Sequence, residues 1–227
     1  MTQPAPVVFL LDIDNTLLDN DHVIKDMKQH LLKAFGPERE ECYWKIFEER
    51  RKELGYADYL GALQRYRVEN PRDPSFLELS LFLIDYPFPT RLYPGSLPVI
   101  SQLRQWGPTV VLSDGDAVFQ PLKVQRSGIF SAVAGNVLIY IHKEEQLEDV
   151  ARRFPARHYV LIDDKLRILT AVKKVWGPRV TTVFPRQGHY AFDPQVVAAN
   201  PPADITVEQI GDLLNYDLAA LLKASGG

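Results

Sequence analysis

Val7-Val8-Phe9-Leu10-Leu11-Asp12-Ile13-Asp14-Asn15-Thr16 passes from unbroken apolar residues straight into an acidic turn. A strand that is apolar at consecutive positions has both faces of its pleat buried, as in parallel sheets covered by helices. Four more short runs share this character, at residues 109–112, 137–141, 159–162 and 180–184, and a last strand is read at 203–205. Between them, residues 120–127, 144–153 and 166–176 read as helices, the last closed by Gly177-Pro178. Strands alternating with helices predict an α/β fold, a Rossmann-like parallel sheet wound on both sides.

One stretch breaks the alternation. Residues 17–92 hold no clear strand. Over residues 38–54 and 56–68 apolar positions recur at three and four, with Tyr43, Ile46 and Phe47, then Tyr59, Leu60 and Leu63. Asn70-Pro71-Arg72-Asp73-Pro74 reads as a turn. Tyr93-Pro94-Gly95 marks the return to the sheet, ahead of a helix at 97–106. The expected organisation is therefore a core of residues 1–16 and 93–227, with a helical insert at 17–92.

The chain as a whole agrees with this. Its 227 residues, 46% hydrophobic and 24% charged, are enough to bury a sizeable core. A net charge of -3 leaves no electrostatic footprint for nucleic acid or an anionic membrane. Cys42, the one cysteine, allows neither an intramolecular disulfide nor a structural zinc site. The N-terminus lacks the basic start and small-residue cleavage site of a signal peptide, and no run reaches the ~20 apolar residues of a membrane span. A cytoplasmic protein is expected.

The chemistry sits at the strand ends, where open parallel sheets bind ligands. Asp12 and Asp14 follow the first strand; were it to continue, they would share a face and repel. Asp163-Asp164 follows the run at 159–162. Asp164 placed as a helix N-cap would account for one aspartate but not two. Ser113 and Lys143 follow two further strands. Singly these are a turn serine and a surface lysine. Together they put four aspartates, a lysine and a hydroxyl on one sheet edge. Such a cluster is costly without a hard cation, and magnesium takes carboxylates, water and phosphate oxygens.

The order Asp12-x-Asp14-x-Thr16, Ser113, Lys143, Asp163-Asp164 resembles the haloacid dehalogenase-like (HAD) superfamily, from about residue 7 to the strand read at 203–205. The resemblance implies a HAD-like core with the insert as a C1-type helical cap. It also implies a Mg2+-dependent phosphatase for a small phosphorylated metabolite. Asp12 would be the nucleophile and Asp14 the general acid and base. Ser113, Asp114 and Lys143 would bind the substrate phosphate. The metal would lie among Asp12, the Asp14 carbonyl, and Asp163 or Asp164.

Three positions depart from the family pattern. Glu144 follows Lys143 where proline is usual, which leaves Lys123 as a fallback lysine. Asp163 stands where glycine is usual, and Asp114 where asparagine is commoner.

Other readings of the same core differ in what they need. A dehalogenase needs neither the acid at Asp14 nor magnesium. A phosphonatase needs a cap lysine for a Schiff base, for which Lys25, Lys28, Lys33, Lys45 and Lys52 are available. A mutase keeps the core and changes the cap. A non-catalytic binding module should have lost a motif, and none is missing. Elsewhere Cys42 and Trp44 read as packing. Arg50-Arg51-Lys52, diluted by Glu48, Glu49 and Glu53, reads as a solvated face. Gln187-Gly188-His189-Tyr190 reads as a surface loop within reach of the site rim.

Overall fold

The computed structural model describes residues 3–223. Six strands, β1 (Ala5–Leu11), β2 (Thr109–Asp114), β3 (Val137–Tyr140), β4 (Ala156–Ile162), β5 (Val180–Pro185) and β6 (Ile205–Val207), form one sheet. Every pairing is parallel and the order is β3-β2-β1-β4-β5-β6. This is the doubly wound Rossmann order, and the winding reverses between β1 and β4. Asp12 and Asp163 therefore emerge side by side at the one crevice such a sheet offers.

Five helices separate β1 from β2: α1 (Asn20–Phe35), α2 (Pro37–Leu54), α3 (Tyr59–Glu69), α4 (Ser75–Asp85) and α5 (Ser96–Arg104). After β2 come α6 (Phe119–Arg126) and α7 (Ile129–Ala132), and after β3 comes α8 (Leu147–Arg153). Then α9 (Leu166–Trp176) follows β4, α10 (Gly188–Phe192) and α11 (Pro194–Ala198) follow β5, and α12 (Leu218–Lys223) comes last. No helix among the described residues is long and apolar enough to cross a membrane.

β1 is apolar throughout because the two faces of the sheet feed two cores. Val7, Phe9 and Leu11 join a cluster that continues into Tyr43, Trp44, Ile46 and Phe47 of α2. Val8 and Leu10 join a second cluster, with Leu166, Leu169 and Val172 of α9. Rings tie the insert to α6, the helix that follows β2. Phe47 stacks on Tyr59 (4.8 Å between centroids), Tyr59 meets Phe119 of α6 (5.0 Å), and Phe119 meets Phe88 (5.6 Å). The insert helices start and stop as their residues dictate. Asp19 and Asp58 accept backbone N–H groups to open α1 and α3, and Gly55 ends α2 in the left-handed region.

Two elements differ from the sequence reading. The helix expected at 144–153 splits into a 3-10 turn, Lys143–Glu145, and α8. His142 is left-handed (φ 58°), and the Lys143 amide donates to Asp114 Oδ1 at 2.7 Å. The chain thus turns sharply and drives Lys143 inward. The last strand begins at Ile205, not 203. Asp204 turns its carboxylate to the Thr182 amide (2.8 Å) and to Lys173 (2.8 Å).

Candidate active site

β1 stops at Leu11 because the next residues fold into a tight loop. The Ile13 carbonyl accepts from the amides of Thr16, Leu17 and Leu18, and Asn15 is left-handed (φ 60°). Asp12 and Asp14 therefore never share a strand face. Asp12 stays against the sheet, its amide bonded to the Ile162 carbonyl at 3.0 Å, and is 2% exposed. Asp14 turns toward solvent, with 23% of its side chain exposed. Gly188 is what lets the loop after β5 close on this turn. Its φ is 68°, and a Cβ there would lie 2.4 Å from that of Asn15.

Around Asp12 the expected residues converge. Lys143 Nζ lies 2.5 Å from Asp12 Oδ1, 2.7 Å from Asp163 Oδ2 and 3.2 Å from the Leu112 carbonyl. Ser113 Oγ is 3.4 Å from the same Asp12 oxygen, and Thr16 Oγ1 donates to the other at 3.3 Å. Asp114 sits behind Lys143, holding its amide. Lys123 does not reach Asp12. From α6 it pairs with Asp14 Oδ1 at 2.6 Å and donates to Asn20 Oδ1 at 3.0 Å.

Asp164 does not cap α9. The Lys165 amide donates to Asp163 Oδ1 instead, at 2.9 Å. Both oxygens of Asp164 are buried without a hydrogen-bond partner. Asp12, Asp163 and Asp164 each bring an oxygen within 4.8 Å of the others. Leaving a carboxylate buried and unpartnered costs several kcal/mol. A hard cation removes that cost, so the donor set suits one.

Electrostatics follow from burial and from two ammonium groups. Burial alone would raise the Asp12 carboxyl, but Lys143 and Lys165 outweigh it and hold Asp12 below the usual carboxylate range. Burial pushes Asp163 up to about 6 against the pull of Lys143, and lifts Asp164 well above its ordinary value. Burial also raises Asp114. Lys143 loses solvation, yet Asp12 and Asp163 more than compensate and hold its ammonium well above the ordinary value.

A cleft of about 570 Å³ opens beside these groups. Asp14, Asp114 and Lys165 line it from the sheet side, and Asn20, Phe47, Arg51, Tyr56 and Tyr59 from the insert. The five lysines that a Schiff base would call on are all exposed, and none lines it.

Five contributors escaped the sequence reading or were read as bland. Lys165 follows directly on the aspartate pair, a position that was itself a signal. Gln120, one turn before Lys123, donates to Ser113 Oγ at 3.0 Å, and their spacing of three puts both on one face of α6. Asn20 opens α1 and receives Lys123. Arg51, read as part of a solvated face, lines the cleft. His189, read as a surface-loop residue, lines it too and pairs with Asp21 at 2.7 Å.

Comparison with known proteins agrees with this geometry. Residues 7–175 match the family model described as haloacid dehalogenase-like hydrolase. A solved structure described as a haloacid dehalogenase-like hydrolase, from Burkholderia xenovorans LB400, is 62% identical with a TM-score of 0.91. The alignment covers 94% of this chain and 100% of that one. A HAD-hydrolase of Bacillus subtilis bound to magnesium shares the fold at 14% identity (TM-score 0.59; 94% and 98% covered). So does the L-2-haloacid dehalogenase of Xanthobacter autotrophicus, at 16% identity (TM-score 0.57; 93% and 97% covered). No curated protein matches the chain.

Proposed function

The chain belongs to the haloacid dehalogenase-like hydrolase family, and we propose that within it the protein is a magnesium-dependent phosphomonoesterase working through an aspartyl-phosphate. Asp164 carries this reading. It is a buried carboxylate, unpartnered at both oxygens, set against Asp12 and Asp163. Displacing a halide gives no reason for a cation at that spot, because halide leaves unprotonated and no phosphate is present. A phosphate dianion approaching a carboxylate does need one.

Asp12, Asp163 and Asp164 would hold the magnesium, with the backbone carbonyl of Asp14. When bound, it supplies neutralising charge to the transferring phosphoryl group. The chain's own residues do the rest. An oxygen of Asp12 attacks phosphorus and the ester P–O bond breaks. Asp14 gives its proton to the departing alkoxide. Water then attacks the phosphorus of the aspartyl-phosphate, Asp14 takes the proton back, and the Asp12 carboxylate is released. Ser113 and Lys143 hold the phosphoryl oxygens, a role that suits two groups already converging on Asp12 Oδ1.

Residues 17–92 serve as the cap over this edge, excluding water during attack and admitting it afterwards. Its exposed lysines, none of which lines the cleft, argue against a phosphonatase. The substrate is a small phosphorylated metabolite that fits a cleft of about 570 Å³.

The test is phosphate release from p-nitrophenyl phosphate beside halide release from 2-chloropropionate, each with magnesium and with EDTA. Magnesium-dependent phosphate release, lost in Asp12→Asn, is expected. Halide release indifferent to EDTA, without phosphate release, would replace this reading with a dehalogenase.

A further inference from the structure

The cleft changes character along its length. Its acidic lining residues among those described, Asp14 and Asp114, lie at the floor beside the carboxylate cluster. Toward the mouth the exposed basic lining residues are Arg51, Arg167 and His189, while Lys165 stands by Asp12 and Asp164. A cation at the floor and a phosphoryl group on it would balance the floor. Arg167 is already paired with Glu144 and His189 with Asp21, which leaves Arg51 the least committed of the exposed cations.

Tyr190 organises that mouth. Its hydroxyl lies 3.3 Å from Arg51 Nη2, and Lys165 Nζ stands 5.6 Å from the centre of its ring. The two cations thus meet one aromatic side chain, Lys165 over its ring and within the field of Asp164 and Asp12, and Arg51 at its hydroxyl. Arg51 is lightly held. Its other contact is Glu48 at 3.3 Å, with the two side chains 43% and 49% exposed, a pairing worth little in water. A guanidinium carries five N–H donors in a planar fork that matches an oxyanion in bidentate fashion. Arg51 belongs to the insert and Tyr190 to the core, so the site is whole only when the two are packed together. They are packed closely: a Cβ on Gly55, at the end of α2, would lie 2.6 Å from Cε1 of His142.

We propose that Arg51, Tyr190 and Lys165 form a second oxyanion site, and that the substrate is a phosphate ester carrying a further carboxylate or phosphate at its other end. This rests on the phosphatase reading only for which group meets Asp12. Phe47, Tyr56 and Tyr59 give the apolar wall against which the body of such a molecule lies. Arg51 is a specificity-determining residue here, remote from the reacting bond.

Binding tests this without turnover. The full-length Asp12→Asn protein with magnesium is titrated calorimetrically with glycerol 3-phosphate, 3-phosphoglycerate and propane-1,3-diol bisphosphate. At least one of the two doubly anionic probes is expected to bind tenfold or more tighter than glycerol 3-phosphate. Which of them does so separates a carboxylate from a second phosphate. Adding Arg51→Met should erase the advantage, Arg51→Lys should restore part of it, and Tyr190→Phe should reduce it.

Equal binding of all three probes, or none, or an advantage that survives Arg51→Met, overturns the proposal. If the wild type hydrolyses p-nitrophenyl phosphate and the probes still bind alike, this inference alone falls. If it hydrolyses no phosphate ester while the Arg51-dependent preference persists, the anion site stands and the phosphatase reading falls.

Discussion

Lys143 and Lys123 look like twins and are not. Both are buried, with 1% and 0% of their side chains exposed, and each pairs with an aspartate of the run Asp12-Ile13-Asp14. Lys143 lies among groups that cannot reach water. It touches Asp12 and Asp163 from neighbouring strands, whose side chains are 3% and 0% exposed. Lys123 lies between Asn20 and an aspartate that faces the cleft, with the ring of Phe119 at 5.5 Å. Lys143 therefore neutralises a closed cluster, whereas Lys123 positions a group that solvent and substrate can reach. The branching point is the end of β1. Had the strand run two residues further, Asp12 and Asp14 would share one environment and one lysine.

Asp12, the proposed nucleophile, should show the contrast most strongly. On p-nitrophenyl phosphate, Asp12→Asn is expected to lower kcat by about 10⁴ or more, with circular dichroism unchanged. Asp14→Asn should lose about 10²–10⁴. Equal and small losses for the two would collapse the distinction between nucleophile and acid/base.

Stability comes next. Lys143→Met leaves two buried carboxylates facing each other and should cost on the order of 3–5 kcal/mol in urea unfolding. Magnesium should act on the same cluster from the other side. At about a hundredfold excess over its dissociation constant, it should stabilise the protein by roughly 2.7 kcal/mol. That would read as a rise in Tm over EDTA-treated protein, and Asp164→Asn should remove most of it. A shift that Asp164→Asn leaves intact would move the metal elsewhere.

The smallest effect belongs to Lys123→Met, about 1–2 kcal/mol, because Asp14 can turn to water once its partner is gone. A cost equal to that of Lys143→Met would show the two pockets to be energetically alike.

How much of this was legible beforehand depends on the range of the interactions. The apolar runs at strand ends placed the aspartates, Ser113 and Lys143 on one edge, because burial on both faces marks a parallel strand locally. Leu166–Trp176 came out at its observed bounds, since its apolar stripe and its Gly177-Pro178 stop are written in neighbouring residues. The break before α8 was not legible. It depends on a bond from the Lys143 amide to Asp114, 29 positions away. The choice between Lys143 and Lys123 favoured Lys143, because Lys123 falls inside a predicted helix, but local pattern did not close it. Only the turn at His142 aims one of them at Asp12. Arg51 was hidden for the opposite reason. Its neighbours are acidic and its face is exposed, so nothing local tells it from a solvated arginine.

By itself, then, the sequence determined the sheet, the family and the carboxylate inventory, because periodicity and strand-end chemistry are short-range properties. The tertiary structure alone decided which oxygens go unpartnered, which lysine meets which aspartate, and how Arg51 and Tyr190 come to share the mouth of the cleft. Those facts depend on side chains from distant segments meeting at separations of a few ångströms. A hydrogen bond or an ion pair responds to such separations, and no local pattern encodes them.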